Sequence, residues 1–449
     1  MTSILLCILA LVASFIAGRR SVVAGLGTVF GIGWFYGIIR ANLPQAASHF
    51  IFDAAVAGLY LAQWRNLLRP AQSLRLRKLQ RWLVFLIGWP ALLLLVPVQD
   101  PLVELVGLRG HIFMLPFFLF GARLSEEELY KLALRIAGLN LAAFGFAAAE
   151  YFIGVDRFFP YREGVTTIIY MSADVAGYAA FRIPATFTNS HAYGGMMVGT
   201  IPLLVGAWLQ KHNRAWHWRL LSVSLIASIM GVFMAAARTP VIFLFVLLTV
   251  ATFSGKMKLY TKLGWVMMLA GIIWIVSSDA RLQRFTTLKD TDMVTERVYG
   301  SVNEGFINLA VRYPMGNGLG GGGTSLPYFL QDRVKERPIV ENEYARIMLE
   351  QGMPGLCLWV AFLLWAFSRR INRWPSNWEL GRRLAWCMTS ISFATAFIGT
   401  GLLTAIPGTS LILMLLGWLI ALPAASAGLN GDPKPATINE RPIWAQQYV

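Results

Sequence analysis

The sequence predicts an all-α fold, a polytopic transmembrane helix bundle of about 12–13 spans with a large extracytoplasmic loop. Three observations carry this. The 449 residues are 56% hydrophobic and only 14% charged, with a mean hydropathy of +0.57, far too apolar for one soluble core. Apolar runs near bilayer-spanning length follow one another along the chain. The breaks between these runs hold most of the Lys and Arg, where a soluble chain would spread its charge over every surface.

In order, the apolar runs lie at 3–17, 22–40, 49–63, 82–98, 111–123, 132–154, 192–209, 220–236, 239–253, 263–278, 346–368, 384–404 and 409–425. Basic connections join the third run to the fourth (Arg65 to Arg81), the seventh to the eighth (Lys211 to Arg219), the ninth to the tenth (Lys256 to Lys262) and the eleventh to the twelfth (Arg369 to Arg383). All four fall on one side of the membrane, which the positive-inside rule makes the cytoplasm. This divides the chain into N-terminal spans (1–154), an outer loop (155–191), central spans (192–278), a large extracytoplasmic loop (279–345), C-terminal spans (346–425) and a cytoplasmic tail (426–449). The first run has no basic segment before it and no small-residue cleavage site, so a removed signal peptide is not expected.

Several function classes lose support. The formal charge of +16 sits in loops between spans, so it meets lipid headgroups, and no soluble module of a nucleic-acid binder is present. Cys7, Cys357 and Cys387 show no metal-ligand spacing, so neither disulfide, metal nor cofactor is expected. The glycine run Gly316-Asn317-Gly318-Leu319-Gly320-Gly321-Gly322-Gly323 lacks the Lys-Ser/Thr ending of a phosphate loop and reads as a flexible bend. No Ser-His-Asp, HExxH or paired-carboxylate spacing supports a hydrolase, and no inverted-repeat pairing supports a transporter.

Function is therefore sought in the two outer loops, where basic residues run against the cytoplasmic bias and an anionic ligand is one reason for them. Arg182 precedes the seventh run; it is a phosphate ligand or a headgroup contact. Arg238 interrupts an otherwise apolar stretch with Pro240, either facing a wet cavity or snorkelling from a tight outer turn. Arg297 is a third phosphate ligand or an exposed helix charge, and Arg312 is a weaker one that could cap a helix end. Asn189 and His191 flank the start of the seventh run, His191 serving as an acid, base or hydrogen bonder or as a structural contact. Glu341, Asn342, Glu343 and Tyr344 close the large loop. Glu341 reads as a general base and Asn342 as a sugar or phosphate partner, or the carboxylates simply cap the next helix. Arg346 is placed to pair with Glu343 or Glu350.

Three blocks carry a family resemblance: Phe181-Arg182-Ile183-Pro184-Ala185-Thr186-Phe187 with Asn189; Ala237-Arg238-Thr239; and Tyr313-Pro314-Met315-Gly316-Asn317-Gly318-Leu319-Gly320 with Glu341-Asn342-Glu343-Tyr344 and Glu350-Gln351-Gly352. In their order and spacing, over about 180–360, they resemble the O-antigen polymerase and O-antigen ligase superfamily of bacterial envelope proteins. The resemblance implies an inner-membrane enzyme whose outer cavity binds an undecaprenyl-diphosphate-linked oligosaccharide and transfers the glycan, with inversion, to an acceptor hydroxyl. Arg182 and Arg238 would hold the diphosphate, with Arg297 in support. Ligases of this type carry His before Asn where this chain has Glu341-Asn342, which favours a polymerase of repeat units for O-antigen, capsule or exopolysaccharide. A ligase acting on lipid A core or protein is the alternative, as is a flippase of lipid-linked sugars, and a chain-length regulator or export partner is left open.

Overall fold

A computed structural model describes residues 1–69, 73–171, 181–210, 214–254, 306–336, 342–368, 378–399 and 401–421, with isolated positions at 260–299, 338 and 340. The described residues are helical with no strand, an all-α bundle.

The first four helices show how the chain packs in a lipid-like solvent. α1 (Thr2–Arg20) turns Ser3, Ala10, Ser14 and Gly18 inward, while Ile4, Leu5, Ile8 and Leu9 face out. Small residues inside and large ones outside is the pattern of membrane helices, where close backbone approach replaces the hydrophobic drive. Its partner α4 (Ile51–Leu68) obeys the same rule, since a Cβ on Gly58 would lie 2.2 Å from the Leu11 carbonyl. Between them α2 (Val22–Trp34), capped by Ser21, and α3 (Tyr36–Asn42) meet at a 46° bend, so the predicted run 22–40 is a broken span.

α5 (Leu74–Leu93) rises from the basic break, and α6 (Pro101–Ile112) and α7 (Phe117–Arg123) form one apolar passage longer than the predicted 111–123. α8 (Glu126–Ile153) starts with a Ser125–Glu128 capping box that satisfies orphan amides at its first turn. The predicted outer loop after α8 folds down on the bundle through a short helix α9 (Thr167–Tyr170). There Asn42 donates to the Phe158 carbonyl and Arg40 to that of Val165.

The central layer is α10 (Ser190–Trp208), α11 (Ala215–Met234) and α12 (Arg238–Phe253), which pack on one another and on α8. Asn140 of α8 ties that helix to α2, α10 and α11: it accepts from Trp34 Nε1 (3.2 Å) and donates to Thr200 (2.7 Å) and Ser228 (2.9 Å). After a one-turn helix α13 (Asn308–Arg312), the last layer comprises α14 (Glu343–Phe367), α15 (Glu379–Thr395) and α16 (Gly408–Ala421). Glycine contacts again set the spacing, Gly121 and Gly417 between α7 and α16, and Gly206 and Gly381 between α10 and α15.

Among the described residues, five helices are long and apolar enough to cross a membrane, six if the bent α2–α3 pair is one span, with α12 and α16 as shorter apolar helices. Fewer of the thirteen apolar runs meet that test among the described residues: α12 and α16 are 16 and 14 residues long, and α5 begins with the basic stretch Arg75-Leu76-Arg77-Lys78. Most of the run 263–278 and the tail 426–449 lie outside the described residues. The chain is a multi-pass membrane protein. Its basic helix ends, including Arg20, Arg65, Arg123 and the Arg382–Glu126 pair that joins α15 to α8, gather at one end of the bundle.

Candidate functional site at the opposite end

The start of α10 meets the turn between α11 and α12 at the end away from the basic breaks. A Cβ on Gly194 would lie 3.0 Å from Ala235 Cβ and 3.1 Å from Pro240 Cγ, so these segments are in direct contact. Arg182 joins them through His191, one turn before Gly194, with Nη1 2.8 Å from the imidazole Nε2. A guanidinium only donates, so Nε2 accepts, and the neutral ring carries its proton on Nδ1. Arg182 and Arg238 thus share one end of the bundle.

Arg238 is the first residue of α12 and follows the tight turn Ala235–Ala237. This is the turn that the sequence offers as one alternative, but the side chain is half-buried and its Nε has no hydrogen-bond partner among the described residues. Ala236 in that turn has φ +48°, and Ala185 in the Arg182 segment has φ +52°; among the described residues no other non-glycine has a positive φ. Alanine there is strained by about 1–3 kcal/mol and persists only where the surroundings over-determine it. Both strained positions lie within three residues of an arginine.

Beneath the Arg182 segment lies a carboxylate that the sequence reading leaves inside an apolar run. Glu150, near the end of α8 and 2% exposed, accepts from the strained Ala185 amide at 2.9 Å. Its Oε1, the Tyr193 hydroxyl and Thr186 Oγ1 are buried with no hydrogen-bond partner among the described residues. An ionisable group at membrane depth is a functional signal in itself. The segment Ala147-Ala148-Ala149-Glu150 carries that signal, and only its position inside a long helical run hides it.

The residues that close the large loop are drawn into α14. Asn342 is its N-cap, accepting from Ala345 N at 2.5 Å, just as Asn189 caps α10 by accepting from Ala192 N at 2.9 Å. Both side-chain oxygens are engaged by backbone, as N-cap chemistry dictates. Glu343 is buried, accepting from Arg346 Nε (2.9 Å) and Nη2 (2.5 Å) and from Gly401 N (2.8 Å). Tyr344 donates to the Phe393 carbonyl at 2.7 Å and lies 4.2 Å from the Phe397 ring, so its hydroxyl faces protein. Arg346, wholly buried, also reaches Glu350 at 3.3 Å, pairing with both carboxylates that the sequence offered it. Glu350 in turn contacts His111 Nε2 of α6 at 2.6 Å, and Gln351 Nε2 meets Nδ1 at 2.8 Å. With Nδ1 accepting, Nε2 donates to Glu350, and the imidazole bridges two helices.

The glycine run is no flexible bend. Gly316, Gly318, Gly320 and Gly323 adopt positive φ, and the segment is pinned by Asn317 N to the Leu349 carbonyl (2.6 Å) and by Gln99 Nε2 to the Asn317 carbonyl (2.7 Å). A Cβ on Gly107 would lie 2.2 Å from Gly320 N, so backbone packs on backbone between α6 and α14. Arg312 is exposed at the end of α13, 3.5 Å from Glu336 and over the Tyr313 ring. Arg297 and Glu341 lie outside the described residues.

The arrangement places two guanidinium groups near buried polar atoms at one end of the bundle, and no group of three or more His, Cys, Asp or Glu among the described residues is placed to hold a metal ion. Fold and site together define a polytopic, all-α membrane protein. No protein-family model matches the chain, and no curated protein matches it.

Proposed function

We propose that the chain is an inner-membrane glycosyltransferase that polymerises undecaprenyl-diphosphate-linked oligosaccharide units into a bacterial surface polysaccharide on the non-cytoplasmic side. The observation that supports this reading is the meeting of the Arg182 and Arg238 segments, each beside a strained alanine, at the end opposite the basic helix termini. Guanidinium groups match the oxygens of a diphosphate in a way a single ammonium cannot. Held there before reaction, they neutralise the charge that grows as the lipid diphosphate departs.

In the step proposed, a base takes the proton of an acceptor sugar hydroxyl. The freed oxygen bonds to the anomeric carbon from the face opposite the diphosphate, and the anomeric carbon–oxygen bond breaks with its electron pair leaving on the lipid diphosphate. The linkage inverts. The candidate base is Glu341, which stands where ligases of this type carry His, next in sequence to the Asn342 cap of α14.

Purified protein in detergent, incubated with a lipid-linked repeat unit, should yield longer glycans on the lipid. Binding without elongation would favour a flippase, and glycan transferred to lipid A core or protein would favour a ligase.

A further inference from the structure

At the basic end of the bundle, away from the arginine mouth, α1, α2 and α8 enclose a groove of about 440 Å³, within the range of small-ligand sites. Its wall is built of two kinds of residue. Ala13, Ile16 and Ala17 of α1 with Ala24 and Gly27 of α2 form an apolar trough, and Arg20, Arg135 and Thr28 supply the polar atoms.

Neither arginine has a carboxylate partner among the described residues, although α8 opens with three glutamates. Arg135 donates one Nη to the Val23 carbonyl at 2.5 Å, which fixes the guanidinium beside the first turn of α2. Gly27 makes room for it, since a Cβ there would lie 2.8 Å from Arg135 Cδ.

Depth identifies the occupant. α8 has 28 residues and so is roughly 42 Å long, more than the roughly 30 Å of bilayer hydrocarbon. Taken at the basic end, the excess of about 12 Å puts the first two turns in the headgroup layer and Arg135, about 14 Å along the helix, at its lower boundary, reaching Val23 at the start of α2. Arg20 ends α1 at the same level, while the trough beneath continues into the outward-facing Val12 and Leu9 of α1. A cation pair at phosphate depth above an acyl-sized apolar trough fits one ligand chemistry. We infer that this groove binds an anionic glycerophospholipid of the leaflet at the basic end, its phosphate between Arg20 and Arg135 and an acyl chain along α1.

The test uses the full-length protein in mixed micelles of equal phosphatidylglycerol and phosphatidylcholine, with retained lipid read by native mass spectrometry. The wild type should retain phosphatidylglycerol in preference. Arg20→Gln and Arg135→Gln should each lower that retention roughly fivefold, as expected for one basic residue at an anionic headgroup, without changing phosphatidylcholine. Gly27→Leu keeps both charges but pushes against the Arg135 side chain and fills the trough, and should lower retention of both lipids. Lys131→Gln, whose exposed side chain pairs with Glu127 on α8, should retain phosphatidylglycerol as the wild type does. Equal retention of the two lipids by the wild type would overturn the inference. So would unchanged retention in both arginine variants and Gly27→Leu, displacement by inorganic phosphate at matched concentration, or preference for undecaprenyl diphosphate.

Discussion

At the residue scale, the two arginines of the mouth and the carboxylates of α14 have opposite characters. Arg238 is half-buried with its Nε enclosed and lacking a hydrogen-bond partner among the described residues, whereas Glu343 accepts from Arg346 and from Gly401 N. Substitutions should separate these roles. Arg238→Ala should lower glycan elongation by about a hundredfold or more, the usual effect of losing one preorganised charge-stabilising donor. Arg238→Lys should also be impaired, because an ammonium does not reproduce the planar fork. Both variants should reach the membrane at wild-type levels; full activity in Arg238→Lys would reduce the role to a point charge. Glu343→Gln is expected to act on the fold instead. It strips a buried guanidinium of one of two carboxylates and should lower stability by about 3 kcal/mol, read as a fall in the thermal midpoint in detergent. Glu341→Gln, by contrast, should leave that midpoint unchanged while lowering elongation by about a hundredfold or more, as for loss of a general base.

At the element scale, α14 is where loop and membrane helix are fastened together. Gly352 interrupts it with φ +70° and ψ 177°, and Met353 N donates to the Pro314 carbonyl at 3.0 Å, so the kink supplies an amide to the outer loop. A side chain at Gly352 would take up a backbone conformation reserved for glycine and place its Cβ 2.7 Å from the Met315 carbonyl. Gly352→Ala should therefore cost about 3 kcal/mol of stability, visible as a lowered thermal midpoint and faster proteolysis within 313–336. An unchanged midpoint would show that the kink can straighten freely. The glycine run illustrates what a sequence shows poorly. Its composition signals freedom of the unfolded chain, whereas its packing between α6 and α14 depends on contacts with residues hundreds of positions away. The helices themselves were legible because hydropathy is a local property; the caps at Ser21, Ser125 and Asn189 became evident only with the helix starts in the structure.

At the scale of the whole molecule, the large loop also packs on the bundle at His49, which lies just before α4 with its ring 5.6 Å from those of both Tyr328 and Phe329. Burial, helped by the cations of Arg40 and Arg109, holds its imidazole down to about 4. The unfolded chain binds a proton at this histidine as pH falls through its ordinary value near 6.5, while the folded chain stays neutral until about 4. Stability from this group is complete above pH 6.5 and is lost progressively down to pH 4, by about 3 kcal/mol over the whole window. Denaturation midpoints measured from pH 7.5 to 4.5 should fall less steeply for His49→Gln than for the wild type. Parallel slopes would remove His49 as the source.

What the amino-acid sequence determined by itself is the class: an all-α, multi-pass membrane chain. Hydropathy and charge act locally and add along the chain, so they can be read without knowing which helices touch. It also singled out Arg238, because an arginine in an apolar setting is expensive wherever it lies, and Arg182, because a basic residue in an outer loop runs against the cytoplasmic bias. Only the tertiary structure decided which polar groups remain available. Asn189, Asn342 and Glu343 are engaged by capping and ion pairing, while Glu150 is brought from the interior of a long helix to the floor beneath the Arg182 segment. Such assignments depend on which helix faces meet, and those meetings are set by small residues such as Gly58, Gly194 and Gly206, whose significance is visible only beside their partners.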